Sequence, residues 1–324
     1  MRKQSILISI IIPLPGFNNY IRESIRHYEK LNEKGFEIII LPDFKEEETL
    51  SKKLKTTIIP SGKVGPAEKR DLGAKYAKGK ILAFIDDDAY PDKNWLKNAL
   101  ALFGDPKVGA VGGPAITPPD EPFWRKISGN IYSSFLMSGH YRKRYVKTGK
   151  PHEDYDIPSV NLLVRKDIFN KIGGFDSTFY PGEDTKLCLE IKKLGYRIIY
   201  SPDVLVYHHR RPLIPNHFKQ IANYALHRGF FVKKFPETSF KLPYFLPSIF
   251  TIGLITGILL SIYIPTAKLI YTGAIILYFL GCIFSSLSIN LFETIFTAIG
   301  IFLSHLTYGI FFIKGLIFTK ELKR

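Results

Sequence analysis

The sequence predicts an α/β fold, a mostly parallel sheet flanked by helices, followed by a helical transmembrane region. Short β-branched runs at 6–12, 37–41 and 81–85 alternate with amphipathic stretches, which is the βαβ pattern of a parallel sheet. No charged residue occurs from 242 to 267, long enough at about 1.5 Å per residue to cross a hydrocarbon core. The 324 residues are 46% hydrophobic and 14% aromatic, which excludes a disordered or collagen-like chain and leaves enough apolar material for a sizeable core.

Taken in order, Met1-Arg2-Lys3 and the apolar run behind them imitate a signal peptide. Pro13 and Pro15 interrupt that run, no small-residue cleavage site follows, and β-branched residues favour a buried parallel strand. A helix is expected over 20–34, with Ile21, Ile25, Tyr28 and Leu31 on one face and a stop at Gly35. A second begins at Pro66, a good first-turn residue, and ends at Gly79. From 112 to 156 the pattern loosens into prolines and a basic, aromatic stretch, either a segment lying on the membrane or a solvated connection. Regular structure resumes at 159–165 and continues through a helix at 166–172, an amphipathic helix at 185–194 and a strand at 197–207.

Uncharged stretches at 242–267 and 269–292, and 294–313 with His305 alone ionisable, read as three spans, apolar all round. Of the net charge of +16, residues 1–241 carry +13, and Lys233, Lys234 and Lys241 precede the first span. Charge bias therefore places residues 1–241 in the cytoplasm. Three spans would then put the basic tail (Lys320, Lys323, Arg324) outside, against the same bias, unless one segment is re-entrant or interfacial. Cys188 and Cys282 are too few and too far apart for a disulfide framework, so a reducing compartment is the default.

Carboxyl ends of parallel strands carry ligand loops, and Pro13–Phe17, Pro42-Asp43 and Asp86-Asp87-Asp88 fall there. In the acidic triplet alternate carboxylates, Asp86 and Asp88, lie on one side of the chain, where oxygen donors suit Mg²⁺ or Mn²⁺ bridging to a diphosphate. His208 and His209 follow the last strand; either could complete a metal site, with His208 the candidate, or be structural. Glu183-Asp184 opens the 185–194 helix, so Asp184 either caps it or acts as general base on an incoming hydroxyl. Position at a helix start would favour its ionised form.

With Ser9–Pro13, Asp43, Gly65-Pro66-Ala67-Glu68-Lys69-Arg70, the DxD at 86–88, Gly173-Gly174-Phe175-Asp176 and Gly182-Glu183-Asp184 in this order, the chain resembles the family 2 inverting glycosyltransferases of the GT-A fold. Tyr207–Arg211 and 305–309 further resemble the membrane-anchored enzymes of the succinoglycan type. The resemblance implies a GT-A domain over 1–235 and a membrane region over 236–324. It implies a nucleotide pocket lined by Pro13 and Asp43, Arg70 near the nucleotide, Asp86 and Asp88 on the metal diphosphate, and Asp184 as base. One acid after the second strand, at Asp43, departs from the usual pair. The QxxRW motif of processive synthases is absent, with Gln220, His227, Arg228 and Gly229 in its region. The expected reaction is inverting, metal-dependent transfer from a UDP- or GDP-sugar to a lipid-linked saccharide at the membrane, in polysaccharide or glycan assembly. A polyprenyl (dolichyl or undecaprenyl) phosphate is the alternative acceptor, being already anionic and needing little base. The rival class is a basic membrane-anchored protein binding nucleic acid or anionic lipid, which leaves the carboxylates unexplained, so no nucleic acid is expected.

Overall fold

The computed structural model describes residues 7–45, 50–288 and 290–322. The leader-like Met1-Arg2-Lys3, Ile6, and the tail residues Lys323 and Arg324 lie outside the described residues. The chain packs as two compact units, one of residues up to Pro118 with Val146–His209, the other of Pro119–Tyr145 with Arg210 onward.

In the first unit, β1 (Ile8–Pro13), α1 (Asn19–Tyr28), β2 (Phe36–Leu41), β3 (Thr56–Ile58), α2 (Pro66–Tyr76) and β4 (Ile81–Phe84) form the βαβ half read from the sequence. β5 (Ala89–Pro91), α3 (Trp95–Leu102), β6 (Val108–Gly112) and β7 (Ala115–Ile116) follow. The chain then runs through α4 (Phe123–Ser133) and α5 (Phe135–Ser138) of the second unit. It returns for β8 (His152–Asp154), β9 (Leu162–Arg165), α6 (Lys166–Ile172), α7 (Glu183–Lys193), β10 (Arg197–Tyr200) and β11 (Val206–His208).

Among the described residues the strands make an eight-stranded sheet, ordered β3-β2-β1-β4-β9-β6-β10-β8, and a three-stranded sheet, β5-β11-β7. β1, β2, β3 and β4 are parallel, and β9 runs antiparallel between β4 and β6. Alternation along the strands divides the core. Ile8, Ile10, Ile12, Ile38 and Ile40 face α1 and α3, while Ile11, Ile39, Leu82 and Phe84 face α2, α6 and α7.

Four expectations need correction. α1 stops at Tyr28 and not at residue 34, because the amides of Lys30 and Leu31 turn back to His27 and Tyr28, which drops Leu31 into the core outside the helix. α2 ends at Tyr76, where Ala77 turns extended and carries the chain to Gly79, whose amide donates to the Ser9 hydroxyl. The loose stretch after 112 contains α4, whose Ile127 and Ile131 are buried in an apolar cluster of the second unit. The single strand over 197–207 is two: after β10 the Ser201 amide donates to Gly112, a turn passes Pro202, and the chain crosses to the small sheet as β11.

Asn161 joins the two sheets. Its amide nitrogen donates to the carbonyls of Pro114 (3.1 Å) and Val204 (2.7 Å), and its oxygen accepts from the buried Trp95 indole at 2.8 Å. Asn161→Ala leaves two buried polar groups without partners, the Trp95 indole N–H and the Val204 carbonyl, at roughly 1–3 kcal/mol each before relaxation, while the Pro114 carbonyl keeps the Val206 amide. A fall of about 2 kcal/mol or more in unfolding free energy is expected from denaturant titration of the purified protein.

The second unit holds α4, α5, α8 (Phe218–Lys234), α9 (Pro236–Ser239), α10 (Leu242–Tyr263), α11 (Pro265–Ser285) and α12 (Leu291–Ile313). Residues 119–145 and 210–235 thus pack with the apolar helices. Among the described residues three helices are long and apolar enough to cross a membrane.

Candidate active site

The parallel pairing decides where the chemistry gathers. Register partners Pro13 and Leu41, and Ile11 and Phe84, bring the ends of β1, β2 and β4 to one edge of the sheet, so Pro13, Asp43 and Asp86 leave the strands together. The first turn of α2 faces that edge. Lys69, buried, donates to the Leu14 carbonyl at 2.6 Å and forms a short ion pair with Asp43. Nothing in the sequence beyond its place beside Arg70 marks this lysine.

Arg70 is 3% exposed and bridges two carboxylates, Asp86 at 2.6 Å and Glu183 at 2.9 Å. Burial opposes its charge, yet the carboxylates of Asp86, Glu183 and Asp184 hold its pKa above the usual arginine range. Its plane lies over the Phe175 ring at 5.6 Å. The Gly173-Gly174-Phe175-Asp176 turn exists to place that ring: the Phe175 amide donates to Asp71 at 2.8 Å, and Gly174, at φ +91°, has Asp71 Oδ1 where a Cβ would stand 2.5 Å away. Burial pushes the Asp71 carboxyl up to about 6.

β4 ends at Phe84, so the acidic triplet lies on the turn behind it and not on the strand. β5 and β11 pair antiparallel with Ala89 opposite His208, which brings the imidazole to the triplet from far along the chain. His208 Nε2 is 3.2 Å from Asp88 Oδ1, and Asp86, Asp88 and His208 each offer a ligand atom within 4.8 Å of one another. Two hard oxygens and one imidazole nitrogen at that spacing fit a divalent cation. The middle acid, Asp87, accepts from the Asn18 amide at 2.6 Å, and burial pushes it up to about 6. His209 points elsewhere, 3.0 Å from Glu23.

Asp184 overturns the expectation drawn from its place at a helix start. The N-cap of α7 is Gly182, and Asp184 accepts from Thr185 N at 2.7 Å and reaches across to Ser159 N at 3.1 Å. Burial, then the negative charges of Glu183 and Asp156, push its carboxyl up to about 7. These outweigh the helix end and the two amides that favour the anion. Asp156, which accepts from the Thr185 hydroxyl at 3.0 Å, carried no signal in the sequence.

The model of the family described as Glycosyl transferase family 2 matches residues 9–173. A pre-mycofactocin glycosyltransferase of Mycobacterium tuberculosis is 29% identical over 164 residues, 50% of this chain and 33% of that protein, so the chain spans about a third of its length. A Methanococcus voltae protein named dolichyl N-acetyl-alpha-D-glucosaminyl phosphate 3-beta-D-2,3-diacetamido-2,3-dideoxy-beta-D-glucuronosyltransferase is 28% identical across 96% of this chain and 97% of its own. Among solved structures, a mannosyltransferase of Pyrobaculum calidifontis in complex with GDP-Man and Mn2+ shares the fold with a TM-score of 0.64 at 16% identity, covering 97% of this chain and 88% of that one. The family match takes in half of the chain, including most of β1, Lys69 and Arg70 on α2 and the Asp86–Asp88 turn, and the chain accordingly belongs to glycosyl transferase family 2 and has a GT-A-like fold.

Proposed function

We propose that the protein transfers a sugar, with inversion at the anomeric carbon, from a UDP- or GDP-sugar to a saccharide already linked to a membrane lipid, in glycan or polysaccharide assembly. The observation that carries this is the meeting of Asp86, Asp88 and His208 at the sheet edge, in the same unit as a second, separately held carboxylate whose pKa lies near neutrality, Asp184. A cation bound by Asp86, Asp88 and His208, with Mn²⁺ the better match to an imidazole donor than Mg²⁺, would supply Lewis-acid stabilisation of the departing diphosphate. Arg70 fixes Asp86 for that task through a buried ion pair, and Lys69 fixes Asp43 at the end of β2. Pro13 and Asp43 are assigned to the nucleotide base and ribose. Asp184 takes the proton from the acceptor hydroxyl, and a pKa near the working pH suits it both to accept and to release that proton.

The acceptor is the finer part of the proposal. A polyprenyl phosphate is already an anionic nucleophile, whereas a sugar hydroxyl needs a base, and the name of the Methanococcus voltae relative gives a dolichyl-linked N-acetylglucosaminyl phosphate as its acceptor. We assign residues 1–235 to transfer and 236–324 to the membrane, with the +13 charge of residues 1–241 on the cytoplasmic side of the cell membrane. Purified protein incubated with a panel of labelled UDP- and GDP-sugars, a lipid extract and Mn²⁺ is expected to give labelled lipid from one donor and none with EDTA. Label transfer undiminished by EDTA would contradict the metal assignment, and no labelled lipid from any donor would contradict the acceptor class.

The pH profile tests the base. Asp184 works ionised, so kcat/KM for the acceptor is expected to fall about tenfold per pH unit below about 7 and to level off above it. A flat profile from pH 5 to 8 would remove Asp184 from the proton transfer.

A further inference from the structure

The three apolar helices of the second unit differ in their surroundings. In their most apolar stretches only 11% of α10 and 6% of α11 is buried, against 50% of the third, which runs from Leu291 through α12 to Phe318. At 22 and 21 residues, α10 and α11 are each about 30 Å long, enough to cross a bilayer.

Two helices that carry charge pack along α12. Beside its first half lies α4: Lys126 donates to Glu293 at 2.7 Å, Trp124 meets Phe296 edge-on at 5.1 Å, and a Cβ on Gly300 would stand 2.3 Å from Ile131. Beside its second half lies α8. His217, one residue before α8, is 3.0 Å from Ser304, and Lys233 donates to the Thr319 carbonyl at 2.7 Å. Between these points glycines let the backbones close up, Gly229 on Phe312 and Gly315 on Leu226. Contacts that advance on both helices together, from 217 to 233 and from 304 to 319, mean that the two axes run side by side for about 20 Å. α10 and α11 also pack on α12, each through one end: Phe245, Pro247, Phe250 and Thr251 of α10 reach Phe312, Gly309 and Phe302, and Tyr278 of α11 reaches His305 at 2.8 Å.

α4 bears Arg125 and Lys126; α8 bears Lys219, Arg228, Lys233 and Lys234. Charges of that density are strongly disfavoured in hydrocarbon, and a helix alongside them shares their depth. The faces of α12 agree. Phe292, Ile295, Ile299, Leu303 and Ile310 form one exposed apolar stripe, while Glu293, Thr297, Ser304 and His305 are buried on the protein side. An outward apolar stripe on a helix held among basic partners is the pattern of a segment lying in the headgroup layer.

We infer that α10 and α11 form a two-helix hairpin through the bilayer, and that α12 lies in the plane of the interface. Residues 286–288, Asn290 and residues 314–322 then share the side of α8. Lys314 and Lys320 join Lys233, Lys234 and Lys241 on one face, which removes the conflict with charge bias that three spans create.

Single cysteines in the full chain, with Cys188 and Cys282 replaced by alanine, test this by labelling with a membrane-impermeant maleimide in sealed vesicles of both orientations. Leu287→Cys and Lys320→Cys are expected to label from the same face as Lys150→Cys, and Thr266→Cys, between α10 and α11, only from the other. Glu321→Cys repeats the Lys320 measurement should that variant be poorly inserted. Lys320→Cys labelling with Thr266→Cys would mean three spans, and Thr266→Cys labelling with Lys150→Cys would mean none; either overturns the inference. The readout is independent of the transfer reaction.

Discussion

Asp184→Asn is expected to keep donor and metal binding and to lose transfer by a factor of roughly 10² or more, the scale for removing a general base. The replacement keeps shape and removes the basic oxygen. It has a second effect that must be separated from the first. Both carboxylate oxygens accept from amides, Ser159 N and Thr185 N, and an asparagine can serve only one of them with its oxygen. The other amide loses its acceptor, at about 1–3 kcal/mol of stability. Transfer should therefore be expressed per donor-binding site, and thermal unfolding read alongside it. Near-normal transfer by this variant would exclude the base role and move the acceptor from a lipid-linked saccharide to a polyprenyl phosphate.

Asp88→Asn is expected to abolish divalent-cation dependence and to reduce transfer by about 10³ or more, since metal stabilisation of a departing diphosphate is worth several kcal/mol. Asp88 is the cleaner of the two acids to change. Asp86 also neutralises the buried Arg70, so its loss would disturb the Arg70–Glu183 pair and confound chemistry with stability. Purified Asp88→Asn, assayed at saturating donor across a Mn²⁺ titration, gives the answer; turnover equal to the parent at every concentration would reject the metal assignment.

Much of the site was visible in the sequence because its local signals agree with the fold. The strand ends at Pro13 and just before Asp43 and Asp86 follow from short, continuous β-branched runs, and parallel pairing then gathers them without further information. What stayed hidden depends on long-range pairing. Nothing local distinguishes Glu183 as the partner of Arg70 over a separation of 113 residues, or His208 from His209 as the neighbour of Asp88; the antiparallel register of β11 on β5 makes that choice. The ionisation of Asp184 is hidden for a related reason. A helix start was legible, but the burial that outweighs it and the proximity of Asp156 are tertiary. The apolar helices show the same limit, since composition makes α12 resemble α10 and α11, and only the charged helices packed along it set it apart.

The most direct test of the whole account is the product itself. Purified protein supplied with Mn²⁺, an α-configured nucleotide sugar and a lipid-linked saccharide should yield a lipid product whose new linkage, read by proton NMR, is β and lies on a sugar hydroxyl. An α linkage would contradict inversion, and a new sugar found on a polyprenyl phosphate, with the lipid-linked saccharide untouched, would contradict the acceptor and the role given to Asp184.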